Sequence, residues 1–245
     1  MSPAVTSLRR QGSAVALLGF AGIALLALSQ PIWLVGSLVV WAYCLYLLFG
    51  GLEENIRDGE SAPLASLGWP TLVTLARGML LAVVAGFLFT PMPLGVRAYF
   101  PAGAYTLAVL LDHVDGRLAR AMGRATRLGE RLDMEVDAAG ILIASLLAVQ
   151  YGKLPLWYVV IGLARYLFVL GIEWRRRQGR VVLELEPNAL RRVLAGVQMG
   201  FLAVSLWPPL PLEASLFAAP FFAGASLAMF ARDWWRVSGR LHRAA

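Results

Sequence analysis

Little in this chain of 245 residues is suited to thiol chemistry, soluble metal binding or a water-facing surface. It has one cysteine, Cys44, and two histidines. A lone cysteine excludes an internal disulfide and a thiolate metal site, and because Cys44 lies in an apolar run its expected role is packing. Only 15% of residues are charged, against 59% hydrophobic. No internal repeat is evident. The basic excess, net +7, has no water-soluble reading surface to sit on, which argues against a nucleic-acid partner.

What the chain does have is long apolar runs. A mean hydropathy of +0.67 with repeated runs of span length predicts an all-α integral membrane protein. Eight transmembrane helices are expected, over about 13–30, 31–50, 70–90, 96–121, 129–151, 154–174, 189–207 and 212–233. The first run is followed at once by a second, without a convincing small-residue cleavage site, so a signal peptide is not expected. Trp33, Trp69, Tyr99, Tyr151, Trp157, Trp174, Trp207, Trp234 and Trp235 fall near span ends, as an interfacial belt does.

Positive charge is strongly asymmetric across these spans. With the N-terminus cytoplasmic, Arg9, Arg10, Arg57, the Arg117–Arg131 group, Arg175, Arg176, Arg177, Arg180, Arg191, Arg192, Arg232, Arg236, Arg240 and Arg243 all lie inside, leaving Arg97 and Lys153 outside. The positive-inside rule therefore predicts both termini at the cytoplasmic face, and the net charge adds attraction to anionic membrane lipids. A charged, Pro- and Gly-containing segment, 52–69, separates two additional N-terminal helices (1–51) from a six-helix unit (70–235) and a basic tail (236–245). An interfacial helix is expected over Leu52–Asp58.

Against this background, four aspartates stand out. Asp112 and Asp115 are three apart, and Asp133 and Asp137 four apart, so each pair projects from one side of its own helix. Clustered carboxylates repel one another unless a cation lies between them, and an all-oxygen ligand set suits Mg²⁺, Mn²⁺ or Ca²⁺ rather than zinc. Gly116 and Ala119 remove bulk beside Asp115, and Gly129 opens space one turn before Asp133. Arg120, two turns beyond Asp112, offers a planar fork of donors for phosphate oxygens. His113 lies between two of the aspartates in the sequence but out of their helical register, so it is not expected to be a ligand.

The segment Asp112-x-x-Asp115-Gly116-x-x-Ala119-Arg120, then eight residues, then Gly129-x-x-x-Asp133-x-x-x-Asp137 resembles the signature of the CDP-alcohol phosphatidyltransferase (phosphotransferase) family, with every defining position matched. Pro70-Thr71-Leu72-Val73-Thr74-Leu75-Ala76-Arg77 is similar to the opening of that family's first core span, Thr71 standing where Asn is usual. The resemblance covers about 70–233. It implies a catalytic core of six helices and phospholipid biosynthesis. The reaction would be divalent-metal-dependent transfer of a phosphatidyl group from CDP-diacylglycerol to an alcohol acceptor, with release of CMP. By the same resemblance Asp112, Asp115, Asp133 and Asp137 would bind Mg²⁺ or Mn²⁺, two ions per site. Asp137 would also be the general base. Thr74, Arg77, Gly116, Ala119, Arg120 and Gly129 would line the nucleotide pocket. The family is often dimeric, so a homodimer is compatible with it.

The acceptor is less constrained. Arg165 lies inside a span, where a cation is costly and usually functional, and Arg191 and Arg192 open a later one. A basic pocket fits an acceptor with its own phosphate, glycerol 3-phosphate first and an inositol phosphate next. Arg191-Arg192-Val193-Leu194-Ala195-Gly196-Val197-Gln198 is similar to an element of phosphatidylglycerophosphate synthases, keeping the glutamine and one basic position. Serine, choline, ethanolamine or a lipid as acceptor is the alternative. An Asp-rich intramembrane prenyltransferase would release pyrophosphate instead of CMP, and a cation transporter would hold its acids near the bilayer midplane.

Overall fold

The computed structural model describes residues 3–28, 31–57, 59–121, 126–185 and 188–239, with side chains to residue 113 in the third of these stretches. Among these residues eight long helices run in order: α1 (Pro3–Ala27), α2 (Trp33–Gly50), α3 (Gly68–Gly86), α4 (Tyr99–Ala121), α5 (Arg127–Gln150), α6 (Val159–Arg177), α7 (Ala189–Leu206) and α8 (Leu212–Val237). No strand occurs among the described residues. The protein is an all-α, multi-pass membrane protein. Among the described residues, six helices are long and apolar enough to cross a bilayer: α1, α2, α3 with the helical turn Phe87–Phe89, α6 with the turn Leu156–Tyr158, α7 and α8. The other two carry the aspartate motif. α5 holds Asp133, Glu135 and Asp137 in its first three turns, which dilutes its apolar character.

Local chemistry explains the helix ends. Thr126 caps α5, its hydroxyl accepting the Gly129 N–H at 3.1 Å while its carbonyl accepts the Glu130 N–H. Asn188 caps α7 in the same way, through the Leu190 N–H at 2.9 Å. Gly152 and Gly179, at φ +68° and +64°, end α5 and α6 in the left-handed region that a side chain disfavours.

Two compact units are distinguished, Met1–Ile143 and Ala144–Ala245. In the first, α2 packs on α1 and α3, and α3 packs on α4. Small residues permit close approach: Gly36 of α2 lies against the Ala85 carbonyl of α3, and Gly86 faces Ser37 and Trp33. The segment after α2 is helical only over Leu52–Glu54, shorter than the expected interfacial helix; Asp58 lies outside the described residues. The buried Asn55 explains the stop. Its carbonyl accepts the Leu64 N–H and its amide donates to the carbonyls of Leu64 and Ser66, committing this backbone to a loop.

In the second unit, α8 packs on α6 and α7. Phe201 and Phe222 stack with centroids 4.3 Å apart. A buried polar chain ties the three helices together. Gln198 donates to the Tyr158 hydroxyl, and Ser226 donates to the Gln198 side-chain oxygen at 3.2 Å. Hydrogen-bonded polar groups in an apolar surround help to hold helices in one register.

Candidate functional site

The site is built on α3, α4 and α5. Asp112 comes from α4, Asp133 and Asp137 from successive turns of α5, and Arg77 from α3. One carboxylate oxygen from each aspartate can be chosen so that all three lie within 4.8 Å of one another. Oxygens that share a Mg²⁺ or Ca²⁺ ion, at about 2.0–2.6 Å from it, stand no further apart than about 5 Å. The three side chains are thus close enough to hold one hard cation, and the donor set is the one such a cation prefers.

Arg77 lies among the carboxylates. It is almost fully buried, and its guanidinium pairs with Asp112 at 3.0 Å and with Asp133 and Asp137, while its Nε donates to the Ala108 carbonyl at 3.3 Å. Among the described side chains, three carboxylates meet at one guanidinium. Carboxylates gathered in this way suit a divalent cation, which would offset their mutual repulsion. The resemblance implied a place for Arg77 in the nucleotide pocket; its partners among the described residues are the three aspartates and the Ala108 carbonyl.

The other expected residues fall as follows. Thr74 is buried, one turn before Arg77, with its hydroxyl donating to the Pro70 carbonyl at 3.2 Å. Gly129 sits where α5 meets α3. A Cβ added there would be 3.2 Å from the Thr126 hydroxyl and 3.5 Å from that of Thr71, so the glycine permits this approach. His113 is exposed. The side chains of Asp115, Gly116, Ala119 and Arg120 lie outside the described residues. Arg165, Arg191 and Arg192 belong to the second unit: Arg165 is half-buried, Arg192 exposed, and Arg191 pairs with Asp233 at 3.0 Å.

Three residues escaped the sequence reading. Thr126 is the cap that starts α5, and Thr-x-x-Gly just ahead of the carboxylates carried that signal. Asp233 is buried near the end of α8, bonded to Arg191 and to Arg232 at 3.2 Å; a lone acid closing an apolar helix was the available cue. Glu135, between the two α5 aspartates, accepts a hydrogen bond from Tyr43 of α2 at 2.8 Å. Nothing in the motif's spacing marks it.

With this geometry in view, residues 67–231 match the family model of CDP-alcohol phosphatidyltransferases. The chain belongs to that family and is a transferase of substituted phosphate groups. It is similar to the CDP-diacylglycerol–glycerol-3-phosphate 3-phosphatidyltransferase of Bacillus subtilis (strain 168), 27% identical over 179 residues, which span 69% of this chain and 89% of that one. The proteins of the same name from Salmonella choleraesuis and Shigella flexneri serotype 5b are 28% and 27% identical, over 66% of this chain and 88% of theirs. No solved structure matches the chain significantly.

Proposed function

We propose that this protein transfers the phosphatidyl group of CDP-diacylglycerol to glycerol 3-phosphate. In the reaction, the acceptor hydroxyl oxygen forms a bond to the lipid-bearing phosphorus. The bond from that phosphorus to the bridging oxygen breaks, and CMP leaves with that oxygen. The hydroxyl proton passes to the carboxylate of Asp137. The observation that carries the reading is the gathering of Asp112, Asp133 and Asp137 around Arg77, with one carboxylate oxygen of each within 4.8 Å of the others. The glycerol 3-phosphate preference is supported by the names of the relatives.

In this reading Asp112, Asp115, Asp133 and Asp137 hold Mg²⁺ or Mn²⁺, which when bound supplies charge neutralisation for the diphosphate. Thr74, Gly116, Ala119, Arg120 and Gly129 shape the nucleotide pocket, and Arg77 spaces the carboxylates. Arg165, Arg191 and Arg192 bind the acceptor phosphate, Asp233 holding Arg191 in place. Residues 70–235 form the catalytic core, 1–51 an N-terminal addition, and 236–245 a cytoplasmic tail. The distribution of arginines supports a cytoplasmic-membrane protein with both termini and the active site at the cytoplasmic face.

The test is incubation of purified protein with labelled CDP-diacylglycerol, Mg²⁺ or Mn²⁺, and a panel of alcohols. CMP release with a phosphatidylglycerophosphate product is expected. CMP release only with serine or inositol phosphate would move the acceptor, and no CMP with any alcohol would refute the reading.

A further inference from the structure

The two N-terminal helices touch the site's framework on both sides of the Arg77 cluster. Tyr43 and Cys44 are neighbours on α2. The Tyr43 hydroxyl donates to Glu135 of α5 at 2.8 Å. Cys44 lies against α3 at Gly78, next to Arg77; a Cβ on Gly78 would come within 2.8 Å of the Cys44 sulfur. Glu135 is two residues from Asp133 and two from Asp137, about 200° around the helix from each. α5 is therefore held from opposite faces, by Arg77 of α3 through the aspartates and by Tyr43 of α2 through Glu135.

Further contacts reinforce the start of both helices. Arg131 donates to both oxygens of Glu54 at 3.0 Å, and the Arg127 N–H donates to the Ile56 carbonyl at 3.1 Å, so the segment following α2 holds the first turns of α5. Gln11 of α1 accepts the Leu67 N–H at 3.1 Å and donates to the Ala65 carbonyl at 3.0 Å, fixing the chain as it enters α3.

We infer that the N-terminal helix pair is a brace that sets the rotation of α5, and that Tyr43 is a positioning residue for Asp133 and Asp137. A helix held on one face alone can roll about its axis. Because the aspartates lie off the Tyr43 face, a small roll separates them from Asp112 without unfolding anything. The inference rests on the reading of this site as a divalent-cation phosphatidyltransferase.

The test uses the full chain carrying Tyr43→Phe, Glu135→Gln, Glu135→Leu, or Tyr43→Phe with Glu135→Leu. Mn²⁺ affinity is read from the EPR signal of free Mn²⁺, and kcat and KM from CMP release. Tyr43→Phe is expected to weaken Mn²⁺ binding and lower kcat by about tenfold, the order of one hydrogen bond to a charged group, with KM for the alcohol little changed. Glu135→Gln keeps an acceptor oxygen and should stay near wild type. Glu135→Leu should match Tyr43→Phe, and the double variant should be no worse than Glu135→Leu.

A second readout needs no metal. Spin labels at Y46C and M134C, both exposed positions, report the α2–α5 distance, and Tyr43→Phe should broaden its distribution. Wild-type protein that binds no Mn²⁺ and releases no CMP, with the distribution still broadened by Tyr43→Phe, sinks the functional reading and leaves the brace standing. An active wild type with Tyr43→Phe indistinguishable in affinity, kcat and distance overturns the brace. Were Tyr43→Phe to misfold, equal behaviour of Glu135→Gln and Glu135→Leu would overturn it as well.

Discussion

Replacing Arg77 with methionine keeps the length and apolar stem of the side chain while removing its charge, so it asks what holds the aspartates together. Without the guanidinium three carboxylates, with one oxygen of each within 4.8 Å of the others, repel one another with no cation between them. Removing one partner of a buried ion pair costs about 3–5 kcal/mol, and Asp133, 43% exposed, is the most screened of the three and lowers that figure.

For a chain of this size, with about 2–4 °C per kcal/mol, metal-free Arg77→Met should melt about 10 °C below wild type in detergent. The three remaining carboxylates form a more negative site, so Mn²⁺ should recover more stability in the variant than in wild type. A hundredfold excess over Kd contributes about 2.7 kcal/mol. The assay is thermal denaturation with and without Mn²⁺. An equal deficit in both conditions, or no deficit, would refute the electrostatic account of Arg77.

Asp137→Asn should abolish CMP release while the protein still inserts and melts normally; robust turnover would remove it as the base. Gly129→Val should disturb the approach of α5 to Thr71 and lower expression or melting temperature by the equivalent of about 1–3 kcal/mol, since the added carbons meet the Thr126 and Thr71 hydroxyls. Gln198→Leu leaves the buried Tyr158 hydroxyl and Ser226 without this partner, and should cost about 1–3 kcal/mol with KM for CDP-diacylglycerol unchanged. Arg191→Ala should raise KM for glycerol 3-phosphate with little effect on KM for CDP-diacylglycerol, and an unchanged acceptor KM would take Arg191 out of the site.

The helices themselves were legible in the sequence, because in hydrocarbon the backbone must satisfy its own hydrogen bonds and apolar run length then defines the element. α2, α5 and α7 begin and end within about two residues of the runs that announced them. The aspartate motif was legible because carboxylates in a greasy chain have few reasons to be there. The expected helix over Leu52–Asp58 was misjudged, since the competing bonds of Asn55 are to residues nine and eleven positions away.

Composition and periodicity alone determined that this is a helical membrane protein with two pairs of aspartates at helical spacing on consecutive helices. Only the tertiary structure decided that Arg77, 35 residues before Asp112, stands among those acids, that Tyr43 reaches Glu135, and that Asp233 gathers two arginines. The physical reason is range: helical period and hydropathy act between neighbours a few residues apart, whereas ion pairs form between whichever side chains the packing of separate helices brings within about 4 Å.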